Sequence, residues 1–288
     1  MAITFLILSI CFSTLISLIF RSFAKYNVSK LQAILVNYLV CFIIGFSLSN
    51  QRDLSNYITT DWFLYCLFLG FLFVAIFFSM ASTVEKIGIS VNAVSSKMAV
   101  VVPIMFAYFF ANEEISTLFF FGIIISLLSI YFISVKKHLD IPKKYYLFPV
   151  IVFLGSGVID TALKALQTAY VEKVSLNTIS YSIFLGAFIA GILVFLVKSK
   201  GSLSLLNKTS LKAGVILGIP NYFSILFLLE AINAFSLKSA FVFGINNVGI
   251  VLLSTILSVV FFKEHLSIKN KIGVGLAVFS IIIIAYGN

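Results

Sequence analysis

Ten apolar runs follow one another along the chain, at about residues 2–20, 31–49, 62–83, 91–111, 117–135, 146–170, 177–197, 212–232, 238–262 and 268–286. A helix that crosses a bilayer needs about 20 predominantly apolar residues, so each run is long enough to span one. In hydrocarbon every backbone N–H and C=O has to be paired, and a lone segment pairs them only as a helix. The chain is therefore read as an all-α, polytopic membrane protein of ten transmembrane helices. Composition agrees: 61% of the 288 residues are hydrophobic and 10% charged, against roughly 45–50% apolar content in a soluble domain. The polar breaks are short, among them KKHLDIPKK and KSKGSLSLLNKTS, and none leaves room for a separate soluble domain. The first run, MAITFLILSICFSTLISLIF, is read as a retained span and not a signal peptide, because no basic residue precedes it and Arg21 follows it.

The formal charge of +10 is in such a chain a topological signal first, and nucleic acid is not expected as a partner. When the breaks are assigned alternately to two faces, 15 of the 20 basic residues fall on one face and three, Arg52, Lys173 and Lys238, on the other. Lys97 and Lys164 stay within apolar runs. By the positive-inside rule the lysine-rich face is cytoplasmic, which puts both termini outside, in a plasma (inner) membrane. Cys11, Cys41 and Cys66 lie in apolar runs and are odd in number, so they read as small core residues and not as a disulfide or metal framework.

An internal repeat appears when NEEISTLFFFGIIISLLSIYF is laid on KEHLSIKNKIGVGLAVFSIII at an offset of 151: Glu113 falls on Glu264, Ser116 on Ser267, Gly122 on Gly273 and Ser129 on Ser280. The match joins the fourth and fifth runs to the ninth and tenth, as duplication of a five-helix unit requires. An odd-numbered unit repeated in tandem enters the membrane from opposite sides, so residues 1–140 and 141–288 read as inverted halves. Ten spans, a short acidic turn after the fourth and the ninth, and a glycine-containing helix after each turn resemble the EamA-type members of the drug/metabolite transporter superfamily. The resemblance covers nearly the whole chain. It implies a bundle of two inverted five-helix halves that moves small metabolites, often outward, through a central cavity. Relatives of that architecture are drawn with both termini in the cytoplasm; the charge bias here points the other way.

Polar residues inside the runs are the candidate site. Asn246 and Asn247, in GINNVG, fall by the same offset on Ser95 and Ser96, beside Lys97. Paired interruptions at corresponding depth point to a midplane site for a polar solute; the bland alternative is interhelical hydrogen-bonding glue. Pro103 is expected to kink the fourth helix, and Gly244 and Gly249 to ease local unwinding of the ninth. Lys97 either lines the cavity or snorkels to the cytoplasmic interface. In VFLGSGVIDTALKALQTAY, Ser156, Asp160, Lys164 and Thr168 recur every four residues and form one polar stripe on the sixth helix. An ionised carboxylate at mid-depth is stable only when paired or wetted, which makes Asp160 a proton-coupling candidate with Lys164 as its ion-pair partner one turn on. Asn221 and Tyr222, after Pro220, and Asn37 with Tyr38 make two further polar breaks that could line the cavity. Glu113, Glu114 and Glu264 read as helix-end charges without chemistry.

The expected function is a secondary transporter, an exporter of a small polar or amphipathic metabolite such as an amino acid, working by alternating access around the central cavity. Flipping of a lipid-linked metabolite is the alternative. No GxxxxGK[ST] loop is present, so a gradient has to supply the driving force. A membrane-embedded enzyme is disfavoured: the two histidines, His138 and His265, lie in basic connections, and HExxH and GxSxG are absent. No cofactor and no metal are expected, the partners are the substrate and membrane lipid, and a monomer of two fused halves suffices.

Overall fold

The computed structural model describes residues 1–23, 26–50, 57–86, 89–110, 115–134, 145, 147–199, 207–236, 238–262 and 266–287. Within them the chain is helical throughout, with no strand. The helices are α1 (Ala2–Phe23), α2 (Lys30–Leu48), α3 (Asp61–Lys86), α4 (Ile89–Met98), α5 (Val101–Phe110), α6 (Thr117–Ser134), α7 (Leu147–Tyr170), α8 (Leu176–Ser199), α9 (Lys208–Ala234), α10 (Ser239–Phe262) and α11 (Ile268–Tyr286). Eight of them, α1, α2, α3, α7, α8, α9, α10 and α11, are long and apolar enough to cross a membrane. The chain is thus an all-helical, multi-pass membrane protein.

The fourth apolar run is not one helix but two, α4 and α5, parted at Ala99 and Val100. Pro103 accounts for the break: it has no N–H to donate to the Ala99 carbonyl four residues back, and its ring crowds that carbonyl. The Ala99 carbonyl accepts instead from the Val102 N–H at 2.9 Å, while the Val100 N–H reaches the Lys97 carbonyl at 3.4 Å. This is the tighter three-residue spacing of a 3₁₀ turn. The unwinding expected around Gly244 and Gly249 does not occur. α10 runs unbroken from Ser239 to Phe262, and both glycines are contact points: a Cβ on Gly249 would lie 2.6 Å from Ile10 Cδ1 and one on Gly244 3.0 Å from Ile123 Cδ1. α9 is likewise continuous through Pro220.

Packing relations order the bundle. α1 lies against α9 and α10, α2 against α8 and α9, α3 against α7 and α8, and α7 against α3, α4 and α5. Followed from neighbour to neighbour, α1, α9, α2, α8, α3, α7, α5 and α10 close a ring, and α6 and α11 pair with each other beside α4 and α10. The α3–α8 crossing is close because both helices place glycine there: a Cβ on Gly70 would meet the Ala187 amide nitrogen at 2.3 Å, and one on Gly186 the Leu67 carbonyl oxygen at 2.6 Å. α8 is deeply buried, with Ile179, Ile183, Phe184 and Ala187 fully buried in the largest apolar cluster. Residues 1–140 and 141–288 are interleaved and not side by side. Across them the Ser29 N–H donates to Ser210 Oγ at 2.8 Å, the Asn207 N–H to Gln32 Oε1 at 2.8 Å, and the Ser49 and Thr178 hydroxyls bond at 3.1 Å.

Residues matched by the sequence repeat have matched roles. Ser116 Oγ accepts the Phe119 N–H at 3.1 Å at the start of α6, and Ser267 Oγ accepts the Asn270 N–H at 3.2 Å at the start of α11, so both are N-caps. A Cβ on Gly122 would meet Ile284 Cγ1 at 2.8 Å, and one on Gly273 would meet Ile133 Cγ1 at 2.8 Å; Ile133 and Ile284 are themselves 151 residues apart. Ser129 and Ser280 are both fully buried. Glu113, Glu114, Glu264, His138 and His265 lie outside the described residues.

Candidate functional site

The central charges come from different halves. Asp160 is half-buried, about midway along the 24-residue α7, and Lys97 is half-buried in the last turn of α4, next to the break. The two act on each other as opposite charges. α7 reaches the break because Gly157 admits it: a Cβ there would lie 2.5 Å from Val102 Cβ. Lys97 is thus an oppositely charged neighbour of Asp160 that comes from another helix. Lys164, the neighbour expected in that role, is 4% exposed and buried in the bundle. Ser156 shares the face of Asp160 and is half-buried, whereas Thr168, expected to extend the stripe, is exposed. Ser95 and Ser96 are half-buried on α4 just before Lys97. One turn back, Asn92 Oδ1 is buried with no hydrogen-bond partner among the described residues.

Asn246 and Asn247 are both 5% exposed but are held differently. Asn246 Oδ1 accepts from Ser9 Oγ of α1 at 3.0 Å, and the same hydroxyl lies 3.2 Å from the Ser224 carbonyl of α9. This joins α1, α9 and α10 at one point. Asn247 Nδ2 donates to the Phe243 carbonyl of its own helix at 3.1 Å. Asn37 and Asn221 meet on the α2–α9 seam: Asn221 Nδ2 donates to Asn37 Oδ1 at 3.1 Å, and Cys41 Sγ donates to the Gly218 carbonyl at 3.3 Å. The Tyr222 hydroxyl donates to Asn177 Oδ1, and Asn177 Nδ2 donates to the Gly45 carbonyl at 3.1 Å, tying α9, α8 and α2. Tyr38 is fully buried against Phe77 and Phe184, and its hydroxyl has no partner among the described residues.

The structure therefore sorts the expected residues into separate clusters. The packing of α4 on α7 brings Lys97 and Asp160 within electrostatic reach of each other; Asn246 sits with Ser9 between α1 and α10; Asn37 with Asn221, and Tyr222 with Asn177, lock α2, α8 and α9 together. Among the described residues no three His, Cys, Asp or Glu side chains converge as metal ligands.

No family model matches the chain. An uncharacterized protein of Haemophilus influenzae is 27% identical over 278 residues, 93% of each chain. A protein crystal structure superposes with a TM-score of 0.74 at 14% identity, covering 98% of this chain and 95% of that one. At that identity the likeness is one of fold, and it extends over nearly the entire bundle.

Sequence reasoning passed over Ser9, Asn177 and Gln167. Ser9 sits in LILSICFSTL as a single hydroxyl among apolar residues, a pattern with no signal of its own; its partner is 237 positions away. Gln167 is an uncharged amide 11 residues after Ser156 and seven after Asp160, hence on their face of α7. A period that follows the helix beyond strict i+4 steps would have found it in place of Thr168.

Proposed function

We propose that the chain is a secondary transporter of the EamA type, with ten membrane spans arranged as two inverted five-helix halves. On this reading α4 and α5 are one broken span and α6 is a full one. The packing relations support it. If α1, α2, α3, α4/α5 and α6 correspond to α7, α8, α9, α10 and α11, then α1 on α9 answers to α7 on α3, and α1 on α10 to α7 on α4/α5. Likewise α2 on α9 answers to α8 on α3. The caps at Ser116 and Ser267 and the reciprocal contacts of Gly122 and Gly273 follow the same exchange.

The observation that carries the function is the pair Lys97 and Asp160, one from each half, beside a helix interrupted by Pro103. Charged groups at such depth are costly unless they pair or meet water, and they mark ion and substrate paths; broken helices offer free backbone dipoles at the same place. Opening of one end of the bundle and then the other exposes the pair to either face in turn. The substrate is a small polar or amphipathic metabolite, Asp160 carries the coupled proton, and export is the direction. The excess of lysine in alternate breaks supports termini on the outer face of a plasma membrane.

The test is transport by purified protein in proteoliposomes with an imposed pH gradient, screened over amino acids and nucleosides, with fluorescent lipid as the competing cargo. Proton-coupled movement of a water-soluble solute that is lost in Asp160→Asn is expected. Full coupled transport by Asp160→Asn, or movement of lipid alone, overturns the reading.

A further inference from the structure

Gln167 is fully buried near the end of α7, three residues before Tyr170. Its Nε2 donates to the Leu229 carbonyl of α9 at 2.8 Å, and its Oε1 is buried with no partner among the described residues. α7 and α9 are not neighbours in the ring, so this side chain reaches across it, on the face that also carries Ser156 and Asp160. A comparable bridge joins α1 and α3, which are not ring neighbours either: the Phe20 and Phe77 rings lie 5.5 Å apart, with Phe20 three residues before the end of α1 at Phe23. Under the proposed exchange of halves, α1 corresponds to α7 and α3 to α9, and the two bridges lie at opposite ends of the bundle. One is a hydrogen bond and the other an apolar contact.

We propose that these bridges are the two gates of the pathway, and that Gln167 is the polar latch of the gate at the end carrying residues 171–175. A latch made by one amide is poised to open, because its donor is satisfied by a single bond and its acceptor by none, so a hydrogen-bonding solute or water arriving at that amide replaces what closure supplies. The Phe20–Phe77 gate offers a solute no such exchange. The end beside Gln167 is therefore the one that responds to polar cargo. This inference rests on the transporter reading and concerns access alone, so it is tested without knowledge of the cargo.

The experiment uses full-length protein with Cys11, Cys41 and Cys66 replaced by serine and Ser156→Cys as the reporter, three turns below Gln167. It is labelled with a membrane-impermeant maleimide in vesicles of either orientation. Gln167→Met and Gln167→Glu, which both remove the amide donor, are expected to raise the labelling rate on the order of threefold to tenfold from the 171–175 face only, the range of one hydrogen bond. Phe20→Ala is expected to raise it from the opposite face only. Two glutamine variants are used so that one which fails to elute as a folded species does not decide the matter. Labelling of the reporter that neither glutamine variant changes overturns the latch and leaves the transporter reading standing. A reporter that stays unlabelled from both faces in every variant overturns the water-accessible path, and with it both proposals.

Discussion

The Ser9 hydroxyl and the Asn246 side-chain oxygen are 3.0 Å apart, and this one bond ties the helix that opens the chain to the penultimate one. Both residues are buried, Ser9 fully and Asn246 at 5% exposure. Ser9→Ala leaves Asn246 Oδ1 without its donor. Interhelical hydrogen bonds within membranes average about 0.6 kcal/mol, with a maximum near 1.7, so destabilisation of about 1 kcal/mol is expected in Ser9→Ala and in Asn246→Leu. The double substitution should cost less than the sum. A double-mutant cycle by thermal unfolding in detergent measures it, and strict additivity would show that the bond contributes nothing.

Lys97 and Asp160 give a cycle of the same sign and larger size. Removing one charge leaves the other buried and uncompensated, a loss of about 3–5 kcal/mol where a pair is fully buried and less here, where both are half-buried. Lys97→Met and Asp160→Leu are each expected to lower stability, and the pair together to recover part of it; under the proposed function the double variant still does not transport. Stability that falls further in the double variant than in either single one would show that the two charges do not act as a pair.

The α3–α8 crossing has no slack. Alanine at Gly70 or Gly186 sets a methyl group 2.3 or 2.6 Å from backbone atoms of the facing helix, and backbone does not rotate away as a side-chain tip does. Gly70→Ala and Gly186→Ala are expected to cost upward of about 1–3 kcal/mol, the usual range for overpacking. Gly275, also within a helix, has open space where a methyl group would sit, with nothing within 4 Å, so Gly275→Ala should gain about 0.5–1 kcal/mol from helix propensity. Unfolding midpoints of the three variants check the order.

Pro103→Ala restores the N–H that α5 lacks and removes the ring from the Ala99 carbonyl. The expected outcome is an α4–α5 segment that straightens and rotates Lys97 relative to Asp160, with a fold of unchanged or slightly higher stability and, under the proposed function, transport reduced at least tenfold. Wild-type transport rates in Pro103→Ala would show that the break has no part in the cycle.

Much of the architecture was legible because hydrophobic length and local caps are short-range properties. The runs and the serines at 116 and 267 each carry their meaning within a few residues. Pro103 marked the disturbed helix, although a kink was expected where the chain parts fully. The glycines of α10 misled, since glycine permits unwinding but also permits close approach, and the neighbouring Ile10 and Ile123 that decide between the two lie far off in sequence. Asp160 was legible as a charge at mid-depth. The second charge near it, Lys97 of α4, was not legible as its neighbour, because a residue one turn away can be read along a helix whereas one from another helix cannot. Asn37 and Asn221 were each visible as polar breaks, but their meeting on one seam depends on the α2–α9 pairing.

The interleaving of residues 1–140 with 141–288 bears on how the molecule is made. When the first five apolar runs have left the ribosome, Ser9 and Lys97 are already made, and the residues they meet in the fold, Asn246 and Asp160, have yet to be synthesised. The nascent amino-terminal portion is thus an incomplete template, whose buried polar groups find their partners only when the later helices arrive.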